Sequence, residues 1–324
     1  MKFGSSLFRA ILGTGVGLVI AIILFNQIQI QDFQKVFKNI SVFWIFAAFS
    51  LYTLSTLLRA YRWKKMLLSK SVALPTLFYV TSIHNLLNHL LPARTGEISY
   101  VMLLRKTQSI PASEGVATLI LARVIDLLAM GVFFLGSIIF YWGTIRVPAL
   151  KLFLITFFAL PLLMVIFIGL FSRKGVQIIC NGFSKFGLMK WKIFSKIADF
   201  LTRLAQDLYQ IKMSKQLFSY AFFTLLAWGA KFFAFYCVAQ NLIFSEPITF
   251  GETVLGTTFS ELASTLPIYG VAGLGTIEGG WTLGFLLLGF PKDEVILSAF
   301  CFHFFLLTFS AVLGVTCFFL LKKR

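Results

Sequence analysis

The sequence predicts an all-α polytopic membrane protein with about six full spans plus two re-entrant helical hairpins arranged as an inverted repeat. Three observations predict it. Of 324 residues, 58% are hydrophobic and only 13% are charged, about half the charged share of a soluble chain. Several apolar runs reach the ~20 residues a helix needs to cross hydrocarbon, without the alternation of barrel strands. Two further apolar stretches, about 73–104 and 252–290, are interrupted by proline, glycine and charge where a full span would be unbroken.

The elements follow in order. Span one is about 7–25, with Gly13 and Gly17 as a GxxxG that marks close helix packing. A short polar segment (26–41) leads to span two, about 42–58. Arg59, Arg62, Lys64, Lys65 and Lys70 follow and place that side in the cytoplasm, which also makes the N-terminus cytoplasmic. The first hairpin turns at Pro92–Glu97, and its return arm, 98–104, is about 10 Å of helix, too short for a ~30 Å core. Span three (about 115–142) ends in Tyr141 and Trp142, an aromatic pair suited to an interface. Span four is about 149–171. Residues 173–215 carry nine Lys or Arg with apolar positions at helical spacing, a basic amphipathic stretch for the cytoplasmic face. Span five (about 216–240), the second hairpin and span six (about 295–321) complete the chain, and Lys322-Lys323-Arg324 puts the C-terminus in the cytoplasm. The halves divide at 1–142 and 143–324.

The halves match one another. Leu91-Pro92 matches Leu266-Pro267, Glu97 matches Glu278, Pro111 matches Pro291, Glu114 matches Glu294, and Arg123 matches His303. Three full spans per half is an odd number, so the second half enters from the opposite side and the repeat is inverted, as in alternating-access transporters.

A net charge of +17 on a soluble chain would point to nucleic acid. Here the basic residues lie in loops, so no nucleic-acid partner is expected, and the charge reads as topology plus attraction to anionic lipids. Cys180, Cys237, Cys301 and Cys317 show no metal or CxxC spacing and read as apolar filler. No metal and no cofactor is expected. The run Gly273-Leu274-Gly275 follows no strand and is not a dinucleotide fingerprint.

A charge at bilayer depth costs ~3 kcal/mol or more, so intramembrane polar residues are the site candidates. Arg94, Glu97, Arg123, Asp126, Lys231, Glu278 and His303, with the adjacent Gly273 and Gly275 and, from the motif quoted below, Asn88, are the substrate-binding candidates, with none catalytic. Each return arm starts as a half-helix whose free amides and positive end face the protein centre, a fit for phosphate. Arg94 adds a forked donor, and Arg123 or Lys231 a further cation. The glycines admit a close ligand. Two jobs stay open for Glu97 and Glu278, head-group binding or proton carriage. Plainer readings also stand: Arg94 with Glu97, and Arg123 with Asp126, as self-neutralising pairs three residues apart.

The pattern Asn88-x-x-Leu91-Pro92-x-Arg94-x-Gly96-Glu97, then Arg123-x-x-Asp126, then Leu266-Pro267 with the glycine-rich run to Glu278, resembles the lysylphosphatidylglycerol synthase transmembrane region, the flippase-like integral membrane proteins, without the soluble synthase domain. Ala122 stands where that family often has Glu, and His303 where it often has Arg. The resemblance implies lipid handling in a bacterial or archaeal cell membrane. It implies a translocase that moves a phospholipid or polyprenyl-phosphate-linked lipid between leaflets, with membrane lipids, anionic ones above all, as partners. It also implies an accompanying lipid-modifying enzyme or glycosyltransferase. The alternatives are an integral membrane lipid or glycosyl transferase using Glu97 and Glu278 as acid and base, and a non-transporting scaffold.

Overall fold

The computed structural model describes residues 3–28, 30–69, 71–140, 173–185, 191–212, 216–242, 244–245, 247–265 and 269–323. Span four, the Tyr141–Trp142 pair, Lys70 and the Leu266-Pro267 dipeptide lie outside the described residues. All regular structure among the described residues is helical. The helices are α1 (Phe3–Phe25), α2 (Ile30–Lys38), α3 (Val42–Met66), α4 (Leu74–Leu90), α5 (Glu97–Gln108), α6 (Ala112–Phe140), α7 (Arg173–Lys185), α8 (Lys192–Lys212), α9 (Leu217–Ala239), α10 (Phe250–Ala263), α11 (Thr276–Leu287) and α12 (Lys292–Lys322). Four of them, α3, α6, α9 and α12, are long and apolar enough to cross a membrane.

At the centre α3 and α9 pack along their whole length and run antiparallel. The Ser41 amide donates to Asn241 Oδ1 at 2.7 Å, the Ser55 hydroxyl to the Ala227 carbonyl at 2.7 Å, and Tyr220 Oη to the Lys65 carbonyl at 3.1 Å. Residue numbers rise along one helix as they fall along the other. The predicted repeat makes α3 and α9 equivalent, so their antiparallel contact is what an inverted repeat demands.

Each member of this pair leads into a helical hairpin and then a long helix. The α4–α5 hairpin starts at the C-terminal end of α3, and the α10–α11 hairpin at the C-terminal end of α9. Because α3 and α9 are antiparallel, the hairpins open at opposite ends of the pair and their tips converge. The packing is exchanged in the same way. Arm α4 lies on α12, where Leu86 fills the space left by Gly314, and arm α10 lies on α6, with Leu255 and Phe259 against Phe134 and Ile138.

Residue chemistry explains the matched positions. Glu114 and Glu294 each stand three residues after a proline, in the first turn of α6 and α12. Glu114 Oε1 accepts from the Leu68 and Ser69 amides at 2.6 and 3.1 Å. Glu294 accepts from the Ser245 amide at 2.9 Å and from its hydroxyl. Each carboxylate ties down the loop between the half's central helix and its hairpin, where backbone donors would otherwise lack partners.

The hairpin turns are built from breakers. Leu91, before Pro92, is extended as prolines require of their predecessor, and a 3-10 turn spans Pro92–Arg94. Gly96 then lets α5 fold back onto α4: a Cβ there would sit 2.5 Å from the Asn88 backbone. In the second hairpin Gly256, Gly280 and Gly284 bring α10 and α11 into backbone contact. Arm α5 has 12 residues, about 18 Å. It is longer than the seven-residue arm read from the apolar run, because Arg105 and Lys106 sit exposed in its last turns and break the hydropathy but not the helix.

Three further readings are corrected or extended. The polar segment 26–41 contains α2, whose Phe33 stacks on Phe25 at 6.1 Å and whose Phe37 meets Phe304 edge to face at 5.5 Å, while Lys35 pairs with Asp32 in solvent. Arg59 and Arg62 are not loop residues, since α3 continues to Met66 and the Arg62 side chain is 1% exposed. The basic stretch 173–215 contains α7 and α8, and α8 lays Leu204, Leu208 and Ile211 into the core beside α6 while Lys196 and Arg203 stay exposed.

Helix α1 seats on the second hairpin through glycine. A Cβ on Gly17 would meet the Leu274 carbonyl at 2.5 Å, and Gly275, at φ +75°, sits directly against the Gly17 carbonyl. Gly275→Ala therefore combines a left-handed strain with a backbone clash. We expect it to destabilise the purified protein by about 2 kcal/mol or more. Gly136→Ala, with open space around it, should be neutral or stabilising by up to about 1 kcal/mol. Thermal unfolding of both variants in one detergent checks the contrast.

Candidate functional site

The two hairpin tips meet. Arg94, at φ +54° in the first tip, reaches across to the second. Its Nε donates to the Ser264 carbonyl and its Nη2 to Ser264 Oγ, the latter at 2.9 Å. In return Tyr269 Oη donates to the His89 carbonyl at 3.2 Å. Between these ties and the central pair lies a polar cavity of about 70 Å³, room for a few waters or one compact charged group. Helix α3 contributes Tyr52, Ser55, Thr56 and Arg59 to its wall; α4 contributes Asn85, Asn88 and His89; α9 contributes Trp228 and Lys231. Arg94, Arg123, Glu261, Ser264 and Tyr269 complete it.

A chain of ion pairs runs away from this cavity. Arg94 Nη1 and Arg123 Nη2 each lie 3.0 Å from Glu97 Oε1, so one carboxylate bridges two guanidinium groups. Arg123 lies 3.8 Å from Asp126 Oδ2, and Asp126 takes the fork of Arg62 at 2.6 and 3.4 Å. Asp126 also accepts from Trp228 Nε1 at 3.1 Å, and Arg62 donates to Thr224 Oγ1 at 3.0 Å. On the opposite wall Lys231 Nζ meets Glu261 Oε1 at 2.6 Å, over the faces of Trp228 and Phe235.

The ten residues singled out from the sequence divide into three groups. Asn88, Arg94, Arg123 and Lys231 line the cavity. Glu97 and Asp126 stand behind it and hold its arginines. Gly273, Gly275, Glu278 and His303 are absent from its wall. Glu278 is fully buried; its Oε1 is 2.7 Å from His303 Nδ1 and its Oε2 accepts from the Gly275 amide at 2.8 Å. Two expectations change as a result. The start of α11 does not offer that amide to a ligand, because Glu278 already caps it. Gly273 closes on Tyr269, and Gly275 closes on α1 rather than on a substrate. Glu97 and Glu278 also lie in separate settings, one bridging Arg94 and Arg123 beside the cavity and one fully buried against His303.

The matched positions nevertheless do the same thing in both halves. A basic residue of the long helix, Arg123 or His303, holds a carboxylate at the start of the hairpin's return arm, Glu97 or Glu278. The first copy opens onto the cavity and the second is buried.

Sequence reasoning missed Arg59, Arg62, Trp228, Ser264 and Tyr269, and left Glu261 without a role. Arg59 and Arg62 were hidden because a run of five cations reads as a loop. The available signal was Asp126, a membrane-depth carboxylate needing a stronger counter-ion than a neighbour three residues away. Among the described residues no group of three or more His, Cys, Asp and Glu is placed to hold a metal, and no cysteine lines the cavity.

Fold and site together define an all-α integral membrane protein whose paired helical hairpins enclose a cation-rich cavity. The family model described as the lysylphosphatidylglycerol synthase TM region matches residues 10–314, and the chain belongs to that family. A search of curated proteins finds no match.

Asp126→Asn removes the only carboxylate on the buried Arg62 guanidinium among the described residues. We expect a loss of about 3–5 kcal/mol. The double change Arg62→Met with Asp126→Leu, which removes both charges, should recover most of it. Unfolding curves for the two variants and the parent protein check this.

Proposed function

We propose that this protein is a lipid translocase, which shelters a polar head group in the central cavity while the acyl or prenyl tails stay in the bilayer. The observation that carries the reading is the convergence of two hairpins, opening at opposite ends of the α3–α9 pair, on one charged cavity. In a bilayer, arms of 12 to 17 residues are too short to cross, so the hairpins are re-entrant, one from each leaflet. Broken helices that meet at mid-depth are tolerated where they line a wet cavity, and such breaks mark the substrate site of alternating-access carriers.

The contacts between the tips suit a gate. Arg94 to Ser264 and Tyr269 to His89 are a few polar bonds rather than a packed apolar seam, so parting them exposes charges that a head group can satisfy. The basic faces of α7 and α8 orient the protein with that side toward the anionic inner leaflet, which makes both termini cytoplasmic. Membership of the family supports a lipid substrate. A lipid-modifying enzyme or glycosyltransferase that supplies or consumes that lipid is the natural partner.

The test is translocation of head-group-labelled lipids in proteoliposomes. Wild-type protein should move the correct lipid. Arg94→Ala and Glu97→Gln should each slow it tenfold or more, the scale of a lost charge-assisted bond, in protein whose chromatographic behaviour and cooperative unfolding show that it is folded. Normal movement by both variants would overturn the reading.

A further inference from the structure

Among the described residues Arg59 is the cavity cation with no carboxylate bonded to it. It sits in the cavity wall, its guanidinium 5.3 Å from the centre of the Trp228 ring. Among the described residues it makes no hydrogen bond and no ion pair, and its Nη2 is buried without an acceptor. Its neighbours differ. Arg94 and Arg123 share Glu97, Arg62 has Asp126, and Lys231 has Glu261. Five cations thus face three carboxylates, leaving two positive charges uncompensated. A guanidinium is all donors and stays protonated, and leaving one of its nitrogens buried without an acceptor is costly. Such a group is retained where something that visits the site supplies the charge.

We infer that Arg59 is the ligand-binding residue for a phosphate anion, and that the cavity takes the phosphate of a lipid head group. The source of that phosphate rests on the translocase reading above; the anion site itself does not. A planar fork suits two phosphate oxygens at once. The Asn88 Oδ1 atom, buried in the same wall without a donor, adds a requirement for an O–H or N–H donor. A phosphate monoester, or a phosphodiester with a hydroxylated head group, meets both demands. A head group whose only charge is positive leaves the Arg59 guanidinium unanswered. In this reading Glu97, Asp126 and Glu261 hold the other four cations, Arg94 and Arg123 sharing Glu97, and Arg59 is left to the ligand.

The experiment uses the full-length protein in an uncharged detergent, with dodecyl phosphate, inorganic phosphate and dodecyltrimethylammonium as probes. Binding is read by calorimetry and by the shift in unfolding temperature. Dodecyl phosphate should bind and raise the unfolding temperature of the wild type, and dodecyltrimethylammonium should not. Arg59→Gln should lose tenfold or more in affinity for dodecyl phosphate, while its ligand-free unfolding temperature equals or exceeds that of the wild type. Arg59→Lys, which keeps the charge without the fork, should fall between.

Unchanged affinity in Arg59→Gln overturns the inference, as does a ligand-free unfolding temperature well below the wild type in both variants, which would make Arg59 structural. Inorganic phosphate binding as tightly as dodecyl phosphate keeps the anion site and overturns its lipid source. Proteoliposomes separate this inference from the one it leans on. Lipid movement that survives Arg59→Gln overturns the role of Arg59 and leaves translocation standing. Arg59-dependent phosphate binding in a protein that moves no lipid does the reverse.

Discussion

Hydrocarbon offers no hydrogen bonds, and this constraint shapes the centre of the molecule. A helix broken at membrane depth must find partners for its freed groups within the protein. Here each broken segment finds them in the other. The first tip sends Arg94 to the Ser264 carbonyl and hydroxyl, and the second sends Tyr269 to the His89 carbonyl. Neither hairpin is complete alone. The antiparallel α3–α9 pair is what brings the two tips together, so the central helix packing and the cavity are consequences of one geometric arrangement.

The cavity is not symmetric, although the fold that builds it nearly is. Both halves place a basic residue of the long helix against a carboxylate on the return arm. In the first half the pair is Arg123 with Glu97, about a quarter exposed and continued through Asp126 to Arg62. In the second half it is His303 with Glu278, sealed, with the carboxylate also capping α11. Gly275 and Gly17 lock that capped end to α1. The first hairpin thus carries the accessible charge, and the second provides the firmer abutment.

Much of this was legible in the residues. The long apolar helices, the position of both hairpins, and the match of Pro111 and Glu114 to Pro291 and Glu294 all follow from hydropathy, breakers and spacing. The structure adds the reason for the matched glutamates, which tie down the loops at Leu68–Ser69 and Ser245. Four of the ten candidate residues do line one cavity. Three of them, Arg94, Arg123 and Lys231, follow from the rule that charge at membrane depth is costly and so has a purpose, and Asn88 from the motif that carries the family resemblance.

What the sequence by itself determined is the class of the fold, the presence of two interruptions and the residue types gathered at them, because these depend on local composition and on periods of a few residues. Only the tertiary structure decided which charge answers which. Arg62 looked like a loop cation until Asp126, 64 positions away, was seen in its fork, and Arg59 looked like its twin until it was seen to have none. The glycines at 273 and 275, read as an opening for a ligand, turned out to face Tyr269 and α1. The physical reason is the same in each case: Coulomb and steric contacts are set by distance in space, and sequence separation carries no information about that distance once the chain has folded back upon itself.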